Sequence, residues 1–382
     1  MWENVQSNKT HQKDRNATRR AVLWLGLSCD LKCIFCYDRW IKPDQRKWMP
    51  LDDVKQALNK YRYFYKNEAV DFMGGEPTLH PQIYDIVSYA SSIGLRPSII
   101  THGMHLTNKN QLINYLESGI YDFLVSIHAV GAFADTLHGC GTDNFTKQMQ
   151  AIDNLNSIGI PFRINCTIIR NNLTHLQKIA ELAVQKKACV LNFIAFNPYY
   201  EWNDDKLIDI FVRHSEVLPF LTPAIEFCIM NGLEVNIRYM PICLFKNKER
   251  FVYTGFQLPY DPHEWDYNSW FDYGLPGTQT ATWYNEAARK QRIRNQYVHT
   301  ETCMTCSMVN ICDGLHSKYL LQWGDDELIP YCGEIIDNPQ YFIQHHTKYD
   351  YITDNISDCS FQESTVAILP NDNLELPQAR RT

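Results

Sequence analysis

Between Arg20 and Tyr239, short apolar runs alternate with longer stretches of helical period. The runs are Ala21–Gly26, Ala69–Met73, Pro97–Thr101, Phe123–His128, Phe162–Ile168 and Val190–Phe196. Each is rich in β-branched or aromatic residues and mostly apolar, as expected of strands buried on both faces. Helix-like stretches separate them: Leu51–Lys66, Gln82–Ile93, Lys109–Ser118, Phe145–Ile158 and Leu173–Lys186. In the first, Val54, Leu58, Tyr61 and Tyr65 recur at helical spacing. Strands joined by crossovers of this length run parallel. Six such units predict an α/β fold, either an incomplete barrel or a doubly wound sheet. In both, ligands sit at the carboxyl ends of the strands.

A chain of 382 residues has room for a second unit. The alternation fades near Tyr239. An aromatic-rich stretch follows, then a second group of cysteines. This divides the chain into a polar arm (1–19), a barrel (20–239), an aromatic-rich linker or lid (240–300), a smaller irregular Cys-rich domain (301–357) and a polar tail (358–382). Acidic residues outnumber basic ones, 43 to 36, which argues against a nucleic-acid partner. No apolar run is long enough for a membrane span, and residues 1–20 hold no signal-like core, so a cytoplasmic protein is expected. Thirteen cysteines are then better read as metal ligands than as disulfide staples.

Cys29, Cys33 and Cys36 are spaced C-x3-C-x2-C and begin where the first strand runs out. Three thiolates on one tight loop hold a soft metal centre and leave one coordination position open. Zinc and iron–sulfur both fit that description. Gly74-Gly75-Glu76-Pro77 follows directly on the second strand. The two glycines let the backbone approach a ligand closely, and Glu76 can accept from an ammonium group.

Together these two motifs resemble the radical S-adenosylmethionine (SAM) superfamily. The resemblance implies a partial (β/α)6 TIM-like barrel. It also implies a [4Fe–4S] cluster on Cys29, Cys33 and Cys36, with SAM bound at the fourth iron and cleaved to a 5′-deoxyadenosyl radical. Phe35 would pack beside the adenine, and Gly74, Gly75, Glu76 and Pro77 would bind the SAM amino group. Thr101 ends the third strand in Thr-His-Gly, where His102 departs from the family's usual Asn. Ser126 and Asn165, on the fourth and fifth strands, would be further polar contacts to SAM. The stretch Ala134–Gly139 is similar to a family stretch but carries no assigned role.

Cys303-x2-Cys306-x5-Cys312, with Cys332 farther on, is a second metal-type spacing. It resembles the SPASM/twitch-type auxiliary domain of radical SAM enzymes, in which these four cysteines would hold a second [4Fe–4S] cluster. A further inner cluster would be absent, or altered with Cys243 and His316 as ligands. A zinc ribbon is the alternative.

The resemblance implies hydrogen abstraction from a peptide, or from a small molecule of the sugar, cyclitol or nucleoside type, with electrons from a flavodoxin- or ferredoxin-like donor. Only about twenty polar residues precede the first strand, so no leader-binding domain is expected. Asp261, Glu264, Asp266 and Asp272 of the aromatic stretch are candidate acids or bases at the substrate. A non-catalytic iron–sulfur electron carrier and a zinc-ribbon binding protein are the alternatives from other classes. The carrier has no need of the Gly-Gly-Glu turn.

Overall fold

The computed structural model describes residues 20–36, 44, 46–64, 67–198, 207–254, 296–336 and 341–344. The candidate acids Asp261, Glu264, Asp266 and Asp272 lie outside the described residues.

Eight strands form one sheet in chain order, with every neighbouring pair parallel. They are β1 (Arg20–Trp24), β2 (Ala69–Met73), β3 (Arg96–Thr101), β4 (Asp122–Ser126), β5 (Phe162–Ile168), β6 (Val190–Ala195), β7 (Glu234–Arg238) and β8 (Val252–Tyr253). β1 and β8 are the two edges, so the sheet curls into an open half-barrel rather than a closed one. The main crossover helices are α1 (Leu51–Asn59), α2 (Ile83–Ser92), α3 (Lys109–Glu117), α4 (Phe133–His138), α5 (Asn144–Ile158), α6 (Leu176–Gln185), α7 (Leu207–Ile210) and α8 (His214–Met230). In α1, Val54 and Leu58 are buried, while Asp52 and Asp53 in the first turn complement the helix dipole.

The sheet extends two strands past the expected six and past the boundary expected near Tyr239. The sequence Glu-Val-Asn-Ile-Arg of β7 alternates polar and apolar residues rather than reading as an apolar run. The strands are buried on both faces, as expected, but one of those faces carries polar residues. Val70, Phe72, Phe123, Val125, Ile164, Cys166, Leu191 and Phe193 pack into the core against the helices. Their strand neighbours Asp71, Asp122, Arg163 and Asn192 face the other way and are buried too. The concave face of the half-barrel is therefore polar in large part.

The N-terminal half of that face is closed by charge. Arg20 Nη1 lies 2.7 Å from Asp71 Oδ1. Arg163 Nη2 donates to Asp71 Oδ1 at 3.1 Å, Ser98 Oγ at 2.9 Å and Asp122 Oδ1 at 3.0 Å. Burial opposes the charge on Arg163, but Asp122 and Asp71 more than offset it and raise the pKa. Removing one partner of such a buried pair leaves an uncompensated charge. Arg163→Met should therefore lower unfolding stability by about 3–5 kcal/mol in chemical denaturation, a loss far above that of an ordinary surface substitution.

The described C-terminal part begins with β9 (Tyr297–Val298), paired antiparallel with β10 (Leu315–His316) and followed by α9 (Ser317–Trp323). It packs directly on the barrel. Tyr319 and Leu315 join Phe196 and Phe211 in one apolar cluster, and Thr254 Oγ1 donates to the Ile311 carbonyl at 2.5 Å. Among the described residues, no helix is long and apolar enough to cross a membrane.

Candidate functional site

The loop that carries Cys29, Cys33 and Cys36 leaves the carboxyl end of β1 and is held from two sides. On one side, Glu76 N–H donates to the Ser28 carbonyl at 2.8 Å. On the other, Lys32 N–H and Ile34 N–H donate to His138 and Leu137 carbonyls, both at 3.0 Å. The stretch Ala134–Gly139, to which the sequence assigned no role, is thus the rail against which the cysteine loop lies. Cys140 continues it, its thiol donating to the Asp30 carbonyl at 3.4 Å.

The Gly-Gly-Glu turn closes over the same loop. A Cβ on Gly74 would lie 2.4 Å from the Gly26 carbonyl oxygen, and one on Gly75 would lie 2.1 Å from that of Ser28. Both glycines have positive φ, 91° and 42°, so any other residue would be strained as well as crowded. Glu76 is buried, and its carboxylate is gripped by its surroundings. Oε1 accepts from Thr78 N–H at 3.2 Å, Thr78 Oγ1 at 2.5 Å and Thr101 Oγ1 at 2.7 Å; Oε2 accepts from His102 N–H at 2.9 Å. Thr101, expected as a cofactor contact, spends its hydroxyl on orienting Glu76.

Sequence reasoning missed a polar cluster beside this carboxylate. Asp30 Oδ1 lies 2.9 Å from His102 Nε2, and Asp30 Oδ2 lies 2.9 Å from His105 Nε2. The hydrogen bonds from these two imidazoles hold Asp30 well below the usual carboxylate range. Burial lowers the His102 pKa, but Glu76 and Asp30 outweigh it, so the net shift is upward. His102 Nε2 also stands 3.3 Å from Glu76 Oε2. A signal existed in the sequence, since His102 directly follows a strand, His105 lies in the next turn and Asp30 follows a metal-type cysteine. The 72-residue separation hid their contact.

Phe35 is buried and packs edge-on against His128 at 4.6 Å between ring centroids. His128 Nδ1 accepts from Thr167 N–H at 3.0 Å, and burial depresses its pKa to about 3. Ser126 and Asn165 are register partners on β4 and β5. Asn165 Oδ1 is buried with no hydrogen-bond partner among the described residues, an acceptor left over on the concave side.

Most of the second group of cysteines lines a small recess that is partly open to solvent. Cys303, Cys306 and Cys312 line it, and so does Cys243, from the turn Ile242–Leu244 after β7. Cys332 is exposed and does not line the recess. His316 does not line it either; its Nδ1 accepts from Lys318 N–H at 3.1 Å. Burial pushes the Cys243 thiol up to about 11.

Residues 25–183, spanning the cysteine loop, the Gly-Gly-Glu turn and strands β2 to β5, match the radical SAM superfamily. This part of the chain is a radical SAM domain. Over 175 residues the chain is 26% identical to the PqqA peptide cyclase of Bradyrhizobium diazoefficiens, covering 46% of this chain and 45% of that one. Over 172 residues it is 26% identical to the AdoMet-dependent heme synthase of Oleidesulfovibrio alaskensis, covering 44% of each. The chain thus spans somewhat under half the length of these curated relatives. The fold is similar to that of Streptococcus suis SuiB bound to precursor peptide SuiA, with a TM-score of 0.53 and 14% identity over 86% of this chain and 78% of that one. It is also similar to anSMEcpe with bound AdoMet and Cp18Cys peptide, with a TM-score of 0.52 and 17% identity over 89% and 99%.

The residues of the radical SAM domain fit the group that the superfamily implies. Burial pushes the Cys29 thiol up to about 12 and raises Cys33 further, so thiolates here need a bound cation to compensate them. Asn165 Oδ1 is a buried acceptor without a partner among the described residues, and the Glu76 carboxylate is held in one orientation beside the cysteine loop.

The neutral state of His128 has a consequence for stability. Its folded pKa is lowered, so the unfolded state binds more protons between about pH 6.5 and 3. Stability is present above pH 6.5 and falls on acidification by about 1.4 kcal/mol per pH unit for this one group. In metal-free protein, His128→Asn should reduce the acid slope of the unfolding free energy by about that amount.

Proposed function

We propose that the chain is a radical SAM enzyme that takes hydrogen from a peptide substrate. The observation that carries the reading is the join between the cysteine loop and the Gly-Gly-Glu turn. One backbone hydrogen bond, Glu76 N–H to Ser28 carbonyl at 2.8 Å, brings a buried, oriented carboxylate beside three cysteines on one loop. Cys29, Cys33 and Cys36 would hold a [4Fe–4S] cluster, and Glu76 would accept from the amino group of SAM. Phe35, Ser126 and Asn165 would contact the rest of SAM. A cluster held by Cys29, Cys33 and Cys36 would supply the one electron that cleaves SAM to methionine and a 5′-deoxyadenosyl radical, the species that would take hydrogen from the substrate.

Every other part is played by this protein's own residues. Thr78, Thr101 and the His102 backbone N–H fix the Glu76 carboxylate before SAM arrives, which lowers the ordering cost of binding. His102 and His105 pin Asp30 and with it the first turn of the cysteine loop. A peptide substrate is favoured by the likeness to a peptide cyclase and by the fold shared with peptide-bound SuiB. The C-terminal cysteines add a SPASM-like auxiliary centre to the reading. Low-potential electrons are required, so a flavodoxin- or ferredoxin-like donor in a reducing, cytoplasmic setting belongs to it as well.

Reduced, anaerobically reconstituted protein should release 5′-deoxyadenosine from SAM, slowly even without substrate. Cys33→Ala should abolish release, and wild-type release by a variant lacking Cys29, Cys33 and Cys36 would end the proposal. Glu76→Gln should keep its iron and weaken SAM binding about 10- to 30-fold by calorimetry, since the amide keeps the shape and loses the charge. Deuterium transfer from a labelled peptide into 5′-deoxyadenosine would identify the substrate class. Transfer only from a small molecule would remove the peptide part.

A further inference from the structure

We infer that Cys243, together with Cys303, Cys306 and Cys312, forms the ligand set of an iron–sulfur cluster in the C-terminal recess, and that Cys332 stands outside that set. Spacing alone selects Cys332, because it follows the other three in a metal-type pattern. The tertiary structure selects Cys243. Its thiol comes from the turn Ile242–Leu244 beyond β7 and lines the same recess as Cys303, Cys306 and Cys312. Cys332 is exposed, and although Leu328 and Pro330 of its segment line the recess, Cys332 itself does not.

The backbone around the recess is arranged to serve one of these sulfurs directly. Tyr331 N–H donates to Cys306 Sγ at 3.4 Å. Thr300 Oγ1 stands 3.6 Å from Cys303 Sγ. Donors aimed at sulfur favour the thiolate, the form that binds metal. His299 supports the set from behind, its Nε2 donating to the Cys312 carbonyl at 2.8 Å. Residue 331 therefore does contribute to this centre, but with an N–H rather than with the thiol next to it.

The spacing of the sulfurs favours a cluster over one zinc ion. Tetrahedral zinc draws four sulfurs to about 3.8 Å from one another. Among the described residues, no three of these sulfurs lie within 4.8 Å of one another. A cubane carries each thiolate on a different iron and holds them farther apart. The choice of iron also rests on the radical SAM reading; the convergence of the four thiols does not. The ligand set has a mechanical meaning as well. Cys332 would tie the C-terminal segment only to itself, whereas Cys243 ties it to the chain between β7 and β8. The centre then staples that segment to the sheet, alongside the Thr254–Ile311 and Tyr331–Glu249 hydrogen bonds.

The test uses the full chain, reconstituted anaerobically with iron and sulfide. With Cys29, Cys33 and Cys36 replaced by Ala, about four irons per chain should remain. Adding Cys332→Ala should leave that number and the electron paramagnetic resonance signal of the reduced cluster unchanged. Adding Cys243→Ala should instead lower the iron and change the signal. The opposite pattern would overturn the ligand set, and one zinc per chain in place of four irons would overturn the iron–sulfur assignment. A second measurement needs no variant. In metal-loaded wild-type protein, iodoacetamide should modify Cys332 quickly and spare Cys243 until the metal is stripped by chelator and oxidant. Equal labelling of Cys243 and Cys332 before stripping would overturn the set. Release of 5′-deoxyadenosine by wild-type protein reports separately on the first site, so failure there is distinguishable from failure here.

Discussion

A guanidinium with no access to water, Arg163, organises the floor of the half-barrel. Its charge is tolerable only because Asp71 from β2, Ser98 from β3 and Asp122 from β4 converge on it, while Arg20 from β1 shares Asp71. Five neighbouring strands thus meet at one buried network. A slip of one residue in any of them would turn its polar member toward the helices and leave the rest uncompensated. The network therefore specifies register across the first five strands. It also fills the N-terminal half of the concave face, so the space left for chemistry lies at the carboxyl ends.

At that upper end the chain assembles a site from short, separately weak elements. The Cys29–Cys36 loop has little secondary structure of its own and is shaped by its neighbours on both sides. The Gly74–Glu76 turn presses on it from β2, and the Ala134–Gly139 stretch runs beside it from the region after β4. Glu76 and Asp30 are each fixed by residues at or just after the end of β3, so hydrogen bonds tie the two carboxylates and the cysteine loop together. Preorganisation of this kind lets a small cofactor bind without first ordering the loop. It also explains why a histidine serves at position 102. The backbone N–H orients Glu76, and the ring reaches Asp30.

The C-terminal part is bound to the barrel by the same economy. Tyr319, Leu315 and Leu328 pack with Phe196 and Phe211, and Ile311 joins the main core. A metal centre that includes Cys243 would add a covalent-strength link between this part and the end of the sheet. Metal occupancy and the packing of the two parts would then rise and fall together.

Much of the barrel was legible in the sequence, because apolar runs and helical periods are local signals. The cysteine loop and the Gly-Gly-Glu turn were legible for the same reason, since each places its chemistry within eight residues. Beyond that reach the sequence was silent or misleading. The alternating β7 was passed over because its polar residues line a concave face that exists only once the sheet has curled. The Asp30–His102–His105 cluster joins residues more than 70 positions apart. For the C-terminal centre, sequence order favoured Cys332, whereas the structure brings in Cys243 from sixty residues upstream. Spacing along the chain determines which groups can share a loop. Which distant group completes a site depends on where parallel strands deliver their ends, and only packing of the whole sheet decides that.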